Sequence, residues 1–244
     1  MDISRRNREL GGVSSLAMKK ILIAVLVVAI VGFGSIFLYF SNQDNELKVS
    51  ADNIDSSNTK DSIGETGNPD GIWTTKKQQD VFVGYEIEEL FGGESVKKTA
   101  SAKTKELTGI LTITDSKITQ AKITADLTQL ESDSQRRDSI QETQGLETIK
   151  FKTATFEIKK PLDLGKVEKK KEISLEIPGD LTLHGVTNPV SFPVTAIWDG
   201  KVIKISGDLE IQLSEYEIEP PKNSIVSVND SGKIKFQLLF VPNS

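Results

Sequence analysis

From Val81 onward, the apolar residues of this chain fall at every second position. Val81, Val83, Tyr85 and Ile87 alternate with Phe82, Gly84, Glu86 and Glu88, which is the period of a half-buried β-strand. The same period returns in Leu107 to Ile113, in Ile123, Ala125 and Leu127, and in Thr153 to Lys159. It returns again in Glu172 to Ile177, in Leu181 and Leu183, and in Val190, Phe192, Val194, Ala196 and Trp198. Ile203, Ile205, Gly207, Leu209, Ile211 and Leu213 make one long alternating face, and Ile234, Phe236, Leu238 and Phe240 make the last. Between these runs lie turn signals: Gly92-Gly93, Asp115-Ser116-Lys117, a charged hairpin around Gly165 ending in Lys169-Lys170-Lys171, and the turn-rich stretch His184 to Pro189. Glu94 to Glu106 is polar and is predicted to lead from one strand into the next. Ser132 to Gln144 alone breaks the pattern, with cap-forming Ser and Asp followed by helix-tolerant residues, and predicts a short helix. About eight strands, one helix and no parallel crossover unit predict an all-β antiparallel fold, a barrel or a sandwich, beginning near Ile72-Trp73.

Ahead of the strands the pattern differs. Residues 1–20 are polar and basic, with Arg5, Arg6, Arg8, Lys19 and Lys20, and Met18 is a second plausible start. Ile21 to Phe40 then carries no charge; at about 1.5 Å of rise per residue a helix of this length spans roughly 30 Å, the hydrocarbon thickness of a bilayer. The positive flank precedes the run and acidic residues follow it, so the charge bias keeps the N-terminus in the cytoplasm and sends the rest outside. Gly32-Phe33-Gly34 offers a competing reading as a signal-peptide cleavage site, but Ile36-Phe37-Leu38-Tyr39-Phe40 continues the apolar run beyond it. The segment therefore reads as a single-pass signal anchor in the cell membrane. Residues 41–71 are rich in Asn, Asp, Ser, Thr and Gly with no aromatic side chain, and predict a flexible acidic linker between anchor and strands.

Composition and charge remove several classes of function. A net charge of −5 argues against nucleic acid, because phosphate binding needs a clustered basic face. Without cysteine there are no disulfides, thiolate nucleophiles or thiolate metal sites. The single histidine, His184, lies in a hairpin turn with no Gly-x-Ser-x-Gly elbow in the chain, and reads as a turn residue bonded to its surroundings rather than a catalytic base. Glu86, Glu88 and Glu89 read as the solvated face and end of a strand, and no ligand set for zinc or calcium is spaced along the sequence. The chain reads as a binding protein, not an enzyme, with no metal.

The run Leu181 to Val190, LTLHGVTNPV, closely resembles the signature hairpin of the YceI-like family. Ser134-Gln135-Arg136-Arg137-Asp138, Lys150 to Phe156 and a closing strand Lys233 to Phe240 are similar to further family segments and arrive in the family's order. The resemblance runs from Ile72 to the C-terminus. It implies a lipocalin-like β-barrel that binds polyisoprenoid lipids outside the bacterial cytoplasm, with an isoprenoid lipid or quinone-like molecule as partner and no other cofactor. It also implies that the Arg137-Asp138 pair stands where the helix meets the barrel. The chain departs from the family at Phe151-Lys152, where tyrosine-proline is usual, at Leu213 and Glu217, where arginine and glycine are usual, and near Tyr85, where a histidine is often found. In such a barrel the alternating sets converge on one lumen, so the candidate lipid-lining residues are Val83, Tyr85, Ile123, Leu127, Phe156, Phe192, Val194, Ile205, Leu209, Phe236 and Leu238. Arg137, Asp138 and His184 are the candidates for the polar end of the ligand. The alternative is a non-catalytic interaction or stress-response scaffold whose barrel core is filled.

Overall fold

Strands apolar on one face must bury that face, and in this chain they do so by curling into a ring. The computed structural model describes residues 46–57, 68–91, 96–220 and 226–243. Its strands are β1 (Gly71–Thr75), β2 (Phe82–Phe91), β3 (Val96–Thr104), β4 (Leu107–Thr114), β5 (Lys117–Asp126), β6 (Glu131–Ser132), β7 (Thr153–Glu157), β8 (Leu162–Asp163), β9 (Glu172–Leu183), β10 (Val186–Trp198), β11 (Ile203–Gln212) and β12 (Val226–Pro242). The first eight combine in pairs. β1 and β2 lie end to end along β12, β3 and β4 lie end to end along them, and β5 with β6 and β7 with β8 continue the series. Counting each pair as one stave, eight antiparallel staves follow one another in chain order, and the first pairs with the last to close the barrel. One α-helix is present among the described residues, α1 (Gln135–Thr143), between β6 and β7. The fold is thus the all-β antiparallel one with a single short helix that the alternation predicts, and of barrel and sandwich it is the barrel that the family resemblance implies.

Side chains sort by parity. On β10, Val190, Phe192, Val194, Ala196 and Trp198 point inward while Pro189, Ser191 and Pro193 are exposed. On β11 and β12 the inward sets run through Ile203 to Ile211 and Ile234 to Phe240, paired across the ladder as Ile205 with Leu238 and Gly207 with Phe236. Close approach explains one glycine directly: a Cβ on Gly179 would stand 2.5 Å from the ring of Phe156 and 2.7 Å from the Glu157 carbonyl.

The structure departs from the sequence expectation in four places. The polar stretch predicted to connect β2 with β4 is itself a strand, β3, whose inward positions Lys98, Ala100 and Ala102 face Glu89, Ile87 and Tyr85 across the ladder. Small residues there stand opposite large ones, so the strand carries no apolar period to detect. The turn predicted over His184 to Pro189 is only two residues long: His184 and Gly185 have φ of 52° and 79°, as a tight hairpin turn requires, and Thr187, Asn188 and Pro189 already belong to β10. Leu213 leaves the long β11 face for a 3-10 turn, Leu213–Tyr216.

The fourth departure concerns the linker. Residues 46–57, read from composition as part of a flexible tether, form a strap packed on the outer wall. Leu47 N–H donates to Glu86, the Lys235 ammonium donates to the Leu47 carbonyl at 3.0 Å, and Ser50 N–H donates to Gln237 Oε1 at 2.7 Å. Beyond a 3-10 turn, Ala51–Asn53, Ile54 packs with Val81, Val202 and Leu239 in a satellite cluster of side chains at most 1% exposed. The strap buries Glu86 as well, which forms an ion pair with Lys235 at 2.8 Å instead of facing solvent. An average over thirty residues hides two anchors, Ala51 and Ile54, and the outward apolar positions on the wall are what receive them. The anchor run Ile21 to Phe40 lies outside the described residues, and among those residues no helix is long and apolar enough to cross a membrane.

Candidate functional site: the barrel interior and its helix-covered end

All eleven candidate lining residues fall in one apolar cluster inside the barrel. Leu127 reaches it from a 3-10 turn after β5, and the others from strands. The cluster is uneven. Toward the end where β1 and the β10–β11 turn lie, Trp73, Leu111, Ile113, Trp198, Ile203 and Phe240 are only 1% to 6% exposed and fill the interior. Farther along, Val83, Tyr85, Ile87, Ile123, Phe156, Ile234 and Phe236 pack against that core yet keep accessible area. These positions share the inward parity of their strands. Phe192 stands edge-on to Phe156 at 5.1 Å and to Phe236 at 5.8 Å, so the three rings pack together on the inner face. An open groove of about 540 Å³ lies on the outside, lined by Glu106, Leu107, Thr108, Thr124, Asp126 and Thr128 among others.

The opposite end carries α1, the 144–152 loop, the β9–β10 turn and the 213–216 turn, so the three polar candidates are brought to one end. Each has a partner there. Arg137 donates through Nε and Nη2 to the two Glu89 oxygens at 3.4 and 3.3 Å, and through Nη1 to Asp133. Burial lowers the guanidinium's affinity for its proton, but the two carboxylates outweigh it and the pKa stands above its ordinary value. Asp138 does not pair with Arg137; its Oδ1 accepts from Ser132 N–H at 2.9 Å and fixes the entry to the helix. His184 donates through Nδ1 to the Tyr216 carbonyl at 3.1 Å, its Nε2 lies 2.9 Å from Glu147 Oε2, and Phe151 tilts against its ring at 4.0 Å. His184 is 8% exposed, and it joins the β9–β10 turn to both neighbouring loops.

Two groups that sequence reasoning passes over complete the site. Gln141, the one buried residue of α1, accepts from the Tyr85 hydroxyl at 3.1 Å and donates to the Leu130 carbonyl at 3.3 Å. Its signal is spacing, since Arg137 and Gln141 are four apart and share a helix face. Glu89 reads as solvated beside Glu88, yet it continues the inward parity of Val83, Tyr85 and Ile87. Burial, reinforced by Glu89, Asp138 and Asp133 and opposed by Arg137, pushes the Tyr85 phenol far above its ordinary pKa and keeps it a hydrogen-bond donor.

Residues 73–240 match the model of the YceI-like domain. The chain belongs to the YceI-like family. The YceI-like domain here is 30% identical over 113 residues to a UPF0312 protein of Vibrio parahaemolyticus, covering 43% of this chain and 55% of the relative. A UPF0312 protein of Vibrio campbellii is 31% identical over 113 residues, again 43% of this chain and 55% of the relative, so the chain spans about half the length of the curated relatives it matches. Among solved structures, a polyisoprenoid binding domain from Saccharophagus degradans, described as implicated in plant cell wall breakdown, superposes with a TM-score of 0.55 at 16% identity. That superposition covers 70% of this chain and 98% of the other, and at this identity the likeness establishes the shared barrel alone.

Proposed function

We propose that this YceI-like barrel is a non-catalytic carrier that holds a polyisoprenoid, quinone-like or similar apolar-chain lipid in its lumen, tethered outside the cytoplasm by Ile21 to Phe40. The observation that carries the reading is the incompletely buried apolar face from Val83 to Phe236, turned inward on staves that close into one barrel. A slender apolar chain gains by leaving water for such a face, at roughly 0.8 kcal/mol per buried CH₂. A charged group placed among those side chains would lose its hydration without repayment. The structural neighbour described as a polyisoprenoid binding domain supports the same ligand class. The tether rests on the sequence pattern alone: an uncharged run long enough to span, a basic flank before it and an acidic one after.

Solvent extraction of the purified full chain, followed by mass spectrometry, tests the carrier reading. The expected result is a stoichiometric long-chain lipid; blank extracts from several preparations would favour the filled scaffold. Protease added to intact spheroplasts tests the topology, with the barrel digested if it lies outside and protected if it does not.

A further inference from the structure

The polar candidates at the helix-covered end already have partners. Arg137 is held between Glu89 and Asp133, Asp138 is held by the Ser132 amide, and His184 is held between Glu147 and the Tyr216 carbonyl. A ligand's polar end therefore has to look elsewhere, and the inner wall offers Tyr85 with Gln141. The phenol gives its single proton to Gln141 Oε1 at 3.1 Å and keeps lone pairs to accept with. The Gln141 amide has two N–H groups and gives one of them to the Leu130 carbonyl, at 3.3 Å. Gln141 is 7% exposed, whereas Tyr85, on the inward face of β2, is incompletely buried. The charges acting on Tyr85 are one cation, Arg137, and three carboxylates, Glu89, Asp133 and Asp138. Lys98, opposite Glu89 in the ladder, still leaves the carboxylates in excess.

We propose that Tyr85 and Gln141 form the headgroup subsite of the lumen, and that it takes an uncharged oxygen at the end of a long apolar chain while rejecting a diphosphate. This rests on the lumen being the lipid site. A ligand hydroxyl can donate to the Tyr85 oxygen and accept from the Gln141 amide; a carbonyl can accept from the same amide. A diphosphate at that position meets an acidic surround in which the Arg137 guanidinium is already engaged by two carboxylates.

The test offers the full chain, held in amphipol, equal amounts of geranylgeraniol, geranylgeranyl diphosphate and the hydrocarbon phytane, and measures what is retained by mass spectrometry. The alcohol should exceed the hydrocarbon by about tenfold, the upper range for one net hydrogen bond in a dry site, and should exceed the diphosphate by more. Tyr85→Phe and Gln141→Leu should each bring the ratio of retained alcohol to retained hydrocarbon to near parity. Retention of the diphosphate above the alcohol, or an unchanged alcohol-to-hydrocarbon ratio in both variants, overturns the subsite while leaving the lumen reading in place. Retention of none of the three by the unmodified chain overturns the lumen reading and the subsite with it.

Discussion

The strap over residues 46–57 makes a demanding quantitative case, because composition assigns it to a tether and predicts no effect of altering it. Ile54 is 1% exposed and packs with Val81, Val202 and Leu239, of which each is fully enclosed at 0%. Ile54→Ala removes buried methyl and methylene groups and leaves a hole between the strap and the wall. Comparable truncations cost about 2–5 kcal/mol, and about 3 kcal/mol is reasonable for a cluster at the edge of a domain. In a domain of this size each kcal/mol moves the melting temperature by roughly 2–4 °C, so the expected drop is about 6–12 °C. The strap can also peel away by itself, breaking ties that include the Leu47 amide on Glu86, the Leu47 carbonyl on Lys235 and the Ser50 amide on Gln237. Local opening caps the global loss but appears in hydrogen exchange. Thermal unfolding of the full chain and its Ile54→Ala variant, with exchange followed at the Ser50 amide, reads both quantities. A melting temperature within about 2 °C of the parent, together with unchanged Ser50 exchange, would refute the packing argument and restore the tether.

Other consequences can be checked with similar means. Gly179→Ala places a Cβ 2.5 Å from Phe156 and 2.7 Å from the Glu157 backbone, so denaturant unfolding should register a loss of about 1–3 kcal/mol, and a neutral outcome would mean the wall yields more readily than the geometry allows. Ala125→Phe, on the inner wall of β5, should abolish lipid retention while the barrel's circular dichroism stays native, and Arg137→Ala should weaken retention only partly; the reverse pattern would place recognition at the surface. Tyr85 has its pKa raised by burial, so its hydroxyl contributes fully below the unfolded tyrosine value of about 10 and that contribution is lost as pH climbs above it. The full chain should therefore lose stability above about pH 10 more steeply than Tyr85→Phe, and equal slopes in the two would show that Tyr85 ionises as easily folded as unfolded.

The sequence by itself determined the parity of the barrel. Val190, Phe192 and Val194 had to face inward because a period of two leaves one face to bury, and the family resemblance named the barrel from LTLHGVTNPV and three shorter segments. It also picked out the residues of the interior, since an apolar position on an alternating strand has one place to go. What it could not supply was anything that depends on a partner distant in the chain. The strand β3 escaped notice because Ala100 and Ala102 are small, and their smallness has meaning only beside Ile87 and Tyr85 across the ladder. The docking of the strap depends on Val202, in the turn before β11, and Leu239, on the outward face of β12, both far along the chain. The polar end was assigned its address but not its pairings: Arg137 meets Glu89, 48 residues away, and His184 meets Glu147, 37 residues away. Local periodicity is fixed by backbone geometry and can be read one strand at a time; pairing of polar groups is fixed by where closure of the ring brings them, and that only the tertiary structure decides.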